Sequence, residues 1–131
     1  MKAVRFFSRS GNTKKVAEAM AQAVGMPAVS VDSSDAALEE KADILFIGGA
    51  LYAYGLDETL NAYLDTLSAD KVGKAVVFST SWLSKHAIDL IKAALESKGI
   101  EVADSFYARA RVGAKISAKQ LKAASDFAKK F

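Results

Sequence analysis

The sequence predicts an α/β chain built on a doubly wound, five-stranded parallel sheet in the order 2-1-3-4-5, with helices on both faces. Two observations predict it. Apolar runs of strand length alternate with segments of helical period along the whole chain, and right-handed crossovers between such runs make the strands parallel. Loops rich in glycine, hydroxyl and aromatic residues follow the first, third and fourth runs. These are the loops that this strand order gathers at its switch point, beyond the carboxyl ends of the strands.

Lys2 to Phe7 is a near-continuous apolar run of buried-strand type. A helix from Thr13 to Val24 places Val16, Met20, Ala23 and Val24 on one face, and Gly25, Met26 and Pro27 end it. Ala28 to Val31 reads as a short strand. Ser34 to Glu40 reads as a short helix capped by Asp32, Ser33 or Ser34. Asp43 to Ile47 is the second strong strand, Gly48 to Gly55 a loop, and Asp57 opens a helix with Leu60, Tyr63, Leu64 and Leu67 on one side. Lys74 to Phe78 is the fourth strand and Ser79 to Leu83 a loop. Ser84 caps a helix through Ser97 that carries Ile88, Ile91 and Leu95, and Gly99 closes it. Ile100 to Val102 and Phe106 to Ala110 read as one strand in two pieces. The last helix runs from Ser117 to Lys130, anchored by Leu121, Ala124, Phe127 and Phe131. No repeat or linker interrupts the pattern, so one domain over residues 1–131 is expected.

Hydrophobic residues make up 51% and charged residues 25% of the chain, a globular balance. The absence of cysteine excludes disulfides, thiolate metal sites and cysteine nucleophiles, and fits a reducing compartment. No signal peptide is evident, and no apolar run approaches the roughly 20 residues of a membrane span. A cytoplasmic protein outside the membrane is therefore expected. The net charge of +3 is uneven: from Arg109 onward seven basic residues face Asp126 alone, while the first 108 residues carry eleven basic and fourteen acidic groups. Such a bipolar chain can orient a charged partner, and a solvated basic face on the last helix accounts for it equally well. Nucleic-acid binding is not expected, because the basic residues lack interleaved surface aromatics.

Three loops carry the chemistry. Ser8, Arg9, Ser10, Gly11, Asn12 and Thr13 join a strand to a helix. There the free N–H groups of the first turn and the helix dipole favour an anion. Ser8, Ser10 and Thr13 add hydroxyl donors, and Gly11 permits positive φ and close backbone approach. Without a ligand, the same stretch is a helix start capped by Ser10 or Asn12. The second loop holds Gly48, Gly49, Ala50, Tyr52, Tyr54 and Gly55, and the third Ser79, Thr80, Ser81 and Trp82. Together they suit a flat aromatic ligand bearing one phosphate. Plainer roles are a strand end at Gly48–Gly49, a core position for Tyr52 and a sheet cover for Trp82. His86, the sole histidine, falls in the first turn of the helix after the third loop. No Ser/His/Asp set, metal cluster or Gly-Lys-Ser/Thr phosphate loop is present. Phe7-Ser8 occupies the place where a receiver domain would need its phosphate-accepting aspartate.

Ser8-Arg9-Ser10-Gly11-Asn12-Thr13 resembles the phosphate loop of the flavodoxins, and the match extends into Lys14-Lys15-Val16-Ala17. Ile47 to Gly55 is similar to the family's second flavin loop, and Phe78 to Trp82 to the start of its third. The resemblance covers essentially the whole chain. It implies an FMN-binding electron-transfer protein that exchanges electrons with a redox partner protein or a small electron acceptor. Ser8, Ser10, Asn12 and Thr13, with the Arg9 and Gly11 amides, would bind the phosphate. Tyr54 would lie against the flavin, with Tyr52 or Trp82 as a second ring partner. Gly55 would sit where flavodoxins flip a peptide toward flavin N5. The alternatives it leaves are an FMN-dependent reductase of a small acceptor such as a quinone, and an interaction module that has lost stable flavin. The chain departs from the family in Ala50, where many short relatives carry proline, in a brief third loop, and in its basic charge. Arg9 and Lys14 beside the phosphate imply a higher two-electron potential than in an acidic flavodoxin.

Overall fold

The computed structural model of the chain describes residues 1–52, 55–82, 84–111 and 113–131. In chain order the elements are β1 (Lys2–Phe6), α1 (Asn12–Val24), β2 (Ala28–Ser30), a single 3-10 turn (Ser34–Ala36), β3 (Ala42–Gly49), α2 (Glu58–Asp65), β4 (Val72–Ser81), α3 (His86–Ser97), β5 (Glu101–Arg109) and α4 (Ala118–Ala128). The strands form one sheet in the order β2-β1-β3-β4-β5, every neighbouring pair parallel. This is the expected topology, with its switch point between β1 and β3.

The alternation of side chains along the central strands fills two cores. Val4, Phe46, Val76 and Phe78 point to one face and pack against Val16 and Met20 of α1 and Ala124 of α4. Leu45, Ile47, Ala75 and Val77 point to the other and meet Leu60 and Leu64 of α2 and Ile91 and Leu95 of α3. Strands apolar at every position are what a sheet covered on both faces requires. The aromatic anchors of α4 hold as the sequence implies. Phe127 lies 5.4 Å from Phe106 and Phe131 6.1 Å from Phe46, centroid to centroid. A capping box between Ser117 and Gln120 starts the helix.

Four elements differ from the expected ones. The helix expected over Ser34–Glu40 is only the turn Ser34–Ala36, which leaves four α-helices among the described residues. Ser33 caps that turn through the Asp35 amide at 3.1 Å. The Ala36 carbonyl, which would have to accept the next helical bond, instead accepts from Arg5 Nε at 2.8 Å and Tyr63 Oη at 2.6 Å. The strand expected in two pieces at the C-terminal edge is continuous. Val102 pairs with Ala75 and Asp104 with Val76, so the ladder absorbs Ala103 as a bulge. Polar Asp104 and Ser105 are tolerated because an edge strand leaves them in solvent. Finally, β3 runs through Gly48–Gly49 and β4 through Ser81, so the second and third loops begin later than their composition suggested. A Cβ on Gly48 would lie 2.3 Å from the Phe78 ring, so the glycine there is a packing requirement inside the ladder.

Candidate functional site

The turn from β1 into α1 is open and rich in donors. Gly11 has φ +94 and is the N-cap, with no side chain capping the helix. No heavy atom outside its chain neighbours lies within 4 Å of where its Cβ would stand. Ser8 Oγ accepts from the Gly11 amide at 3.0 Å and shapes the turn. Ser10 is exposed, and among the described residues its hydroxyl makes only a long 3.5 Å hydrogen bond, accepted from the Asn12 amide. Among the described residues, the amides of Arg9, Ser10, Thr13 and Lys14 donate to no protein acceptor. A helix N-terminus in this state is an anion site.

Two residues of this turn are held from inside. Thr13 is 1% exposed, and its hydroxyl lies 2.7 Å from that of Thr80 on β4. Asn12 turns its amide toward the connection between β5 and α4. There Nδ2 donates to the Ala114 carbonyl at 2.8 Å, and Oδ1 accepts from the Ile116 amide at 3.1 Å. The Asn12 side chain is therefore committed to a neighbouring loop, and its part in the turn is to position it.

In the second loop Tyr52 and Gly55 exchange backbone bonds, Tyr52 N to Gly55 O at 2.8 Å and Gly55 N to Tyr52 O at 3.0 Å. Gly55 has φ +115. Tyr54, the residue expected against the flat ligand, lies outside the described residues, and Ala50 is half-buried between β3 and this turn. The Arg9 guanidinium stacks over the Tyr52 ring at 3.9 Å. Arg9 Nε donates to Asp57 Oδ2 at 3.0 Å, and Nη2 bonds the same oxygen. Asp57 also caps α2 by accepting the Thr59 amide at 2.8 Å. The bond from Arg9, then that from Thr59, hold the Asp57 carboxyl below its ordinary range, and the Asp57 carboxylate holds the guanidinium above its own. Burial pushes the Tyr52 phenol up. Arg9 is thus a neutralised tie between the first and second loops, where the sequence suggested a bare cation beside a phosphate.

The third loop starts at Trp82. Ser79 is fully buried on the α2–α3 face, and its hydroxyl has no hydrogen-bond partner among the described residues. Thr80 faces α1 through Thr13. Ser81 Oγ donates to the Ser84 carbonyl, and Tyr107 Oη donates to the Ser81 carbonyl at 2.7 Å. Trp82 is half-buried between two cations. Arg109 lies 4.2 Å and Arg111 4.7 Å from its ring centroid, and Arg109 Nε donates to its carbonyl at 3.0 Å. His86 is exposed, with Nδ1 4.0 Å from Asp89. No metal-holding cluster exists among the described residues, and none of their helices is long and apolar enough to cross a membrane.

The sequence reading missed the partners of three residues: Asp57 for Arg9, Ala114 and Ile116 for Asn12, and the two arginines for Trp82. The first two left no local signal, since 48 and 102 to 104 residues separate the pairs. The basic run from Arg109 was visible, but not its seat on Trp82. The open cradle with free amides fits a phosphomonoester. The aromatic residues two loops away fit a flat ring, and the buried, unpartnered Ser79 hydroxyl lies in the strand that leads into the third loop.

A family model described as flavodoxin domain matches residues 3–131. Among solved structures, the chain is similar to a flavodoxin from the domain Archaea, at 20% identity and TM-score 0.79, covering 99% of this chain and 95% of that one. It is similar to a short-chain flavodoxin associated with a non-canonical PDU bacterial microcompartment, at 18% identity and TM-score 0.77, covering 98% and 94%. It is also similar to oxidised flavodoxin 2 from Bacillus cereus, at 19% identity and TM-score 0.75, covering 99% of each chain. No curated protein matches it.

Proposed function

Since this chain belongs to the flavodoxin domain family, we propose that it binds FMN and carries electrons between redox partners. The observation that carries the reading is the turn at Gly11, with open space at its Cβ position and amides that have no protein acceptor among the described residues. A phosphate placed there would receive the amides of Arg9, Ser10, Thr13 and Lys14 and the exposed Ser10 hydroxyl. Ser8, Asn12 and Thr13 would fix the shape of the turn from below. Bound FMN would supply one- and two-electron chemistry. Tyr52 and Trp82 would bound the ring, each with one or two guanidinium groups already on it, and Gly55 would offer its backbone at the ring edge.

A second reading is direct reduction of a small acceptor at the same ring. It is favoured by the short third loop, which leaves Trp82 only half-covered.

Parallel titrations with FMN and riboflavin test the phosphate cradle. The expected result is saturable binding of FMN, about a hundredfold tighter than riboflavin, which lacks the phosphate and its roughly 2.7 kcal/mol of contacts. Ser10→Asp places a like charge in the cradle without touching the core, and should weaken FMN more than about tenfold while leaving riboflavin unchanged. Equal affinities for the two flavins, or an indifferent Ser10→Asp variant, would remove the site from the turn.

A further inference from the structure

We propose that the rim around Trp82 is the docking surface for an acidic redox protein, an inference that rests on the flavin reading above and names the partner's charge. Arg109 and Arg111 are exposed and lie against the Trp82 ring, and Arg109 is fixed there by its bond to the Trp82 carbonyl. Neither has a carboxylate within ion-pair distance among the described residues, whereas Arg9 across the site is neutralised by Asp57. Lys85, also exposed, adds a third cation 5.5 Å from the Tyr107 ring centroid, and Tyr107 in turn holds Ser81. The nearest acid on α3 to this rim, Asp89, faces His86.

A half-buried aromatic ring with two guanidinium groups over it is the composition of interface hot spots. The cluster is spread on the surface and not enclosed, so it suits a protein face rather than a small anion. The chain-wide charge points the same way, because the segment from Arg109 onward is strongly basic and the rest is acidic. Arg109 and Arg111, which begin that segment, draw a negative partner toward this end of the sheet before contact.

Trp82 is the only tryptophan, so in the flavin-free protein its fluorescence reads the cluster. Iodide and caesium quenching of the protein measures the local field. Titration with an octaglutamate peptide, and with octalysine as its opposite, measures docking. At about 10 mM ionic strength, where the Debye length is roughly 30 Å, iodide should quench several-fold better than caesium. Octaglutamate should bind, and its affinity should fall about tenfold on reaching roughly 150 mM salt. Octalysine should not bind. Arg109→Gln/Arg111→Gln should abolish both effects. Lys129→Gln/Lys130→Gln, which removes the same charge at the far end of α4, should leave them intact. An unchanged Arg109→Gln/Arg111→Gln variant, or an equal loss in the lysine variant, would overturn the surface. Displacement of octaglutamate by sulfate at matched ionic strength would also overturn it, in favour of a small-anion subsite. If FMN fails to bind while octaglutamate does, the partner's redox character falls and the acidic docking face stands. The reverse result removes the docking face and keeps the flavin site.

Discussion

Gly55 has φ +115, with Leu90 Cδ1 3.7 Å from where its Cβ would stand, so backbone strain, not crowding, is what forbids a side chain there. Gly55→Ala should cost about 1–3 kcal/mol of stability, read by urea denaturation, and should weaken flavin binding by distorting the Tyr52–Gly55 bridge. The neighbouring Asp57 gives a pH signature. Its folded-state carboxyl is depressed by Arg9 and Thr59, so the stability it contributes is full above the ordinary carboxylate range near about 4. That contribution is lost as the pH falls below this range and through the depressed value. Asp57→Asn keeps a good cap and removes the titration. The stability of the natural chain relative to this variant should therefore shrink on acidification below about pH 4, measured by denaturation across that range, and stay flat above it.

Between elements, the N-terminus of α1 is anchored at two points that local sequence does not reveal. Asn12 ties it to the β5–α4 connection, and Thr13 ties it to β4. Asn12→Ala removes both bonds of the first tie and leaves the Ile116 amide, buried with its residue, without its acceptor. A loss of about 2–3 kcal/mol is expected, with faster amide exchange at Ile116 than in the natural chain. If the cradle needs this anchor, FMN should weaken in the same variant while riboflavin does not. Equal weakening of both would show that the connection supports the ring and not the phosphate.

For the whole molecule, pairing with Asp57 neutralises Arg9, while Lys14 in the turn and Arg109 and Arg111 at Trp82 have no carboxylate within ion-pair distance among the described residues. The expectation of a raised two-electron potential, made on Arg9 and Lys14, therefore passes from Arg9 to Lys14, Arg109 and Arg111. In the FMN-loaded protein, Arg109→Gln/Arg111→Gln should lower the potential by reducing the positive field on the reduced flavin anion. Spectroelectrochemical titration measures it, and an unchanged value would refute the idea. Strand order, the two cores and the α4 anchors were legible in the sequence, because an apolar run covered on both faces and a helical stripe are local patterns with local causes. The donor-rich turn at Ser8–Thr13 was legible for the same reason, since a strand, a glycine and a helix start in succession dictate free amides. The missing helix at Ser34–Glu40 was not, because its carbonyl at Ala36 is taken by Arg5 and Tyr63 from other elements. Nor was the continuity of β5, whose polar residues are acceptable only at a sheet edge. Tertiary structure alone decided that Arg9 is spent on Asp57 and that Asn12 faces inward. It alone set Trp82 between two arginines, because ion pairs and stacks join residues that the chain places far apart and only folding brings within reach.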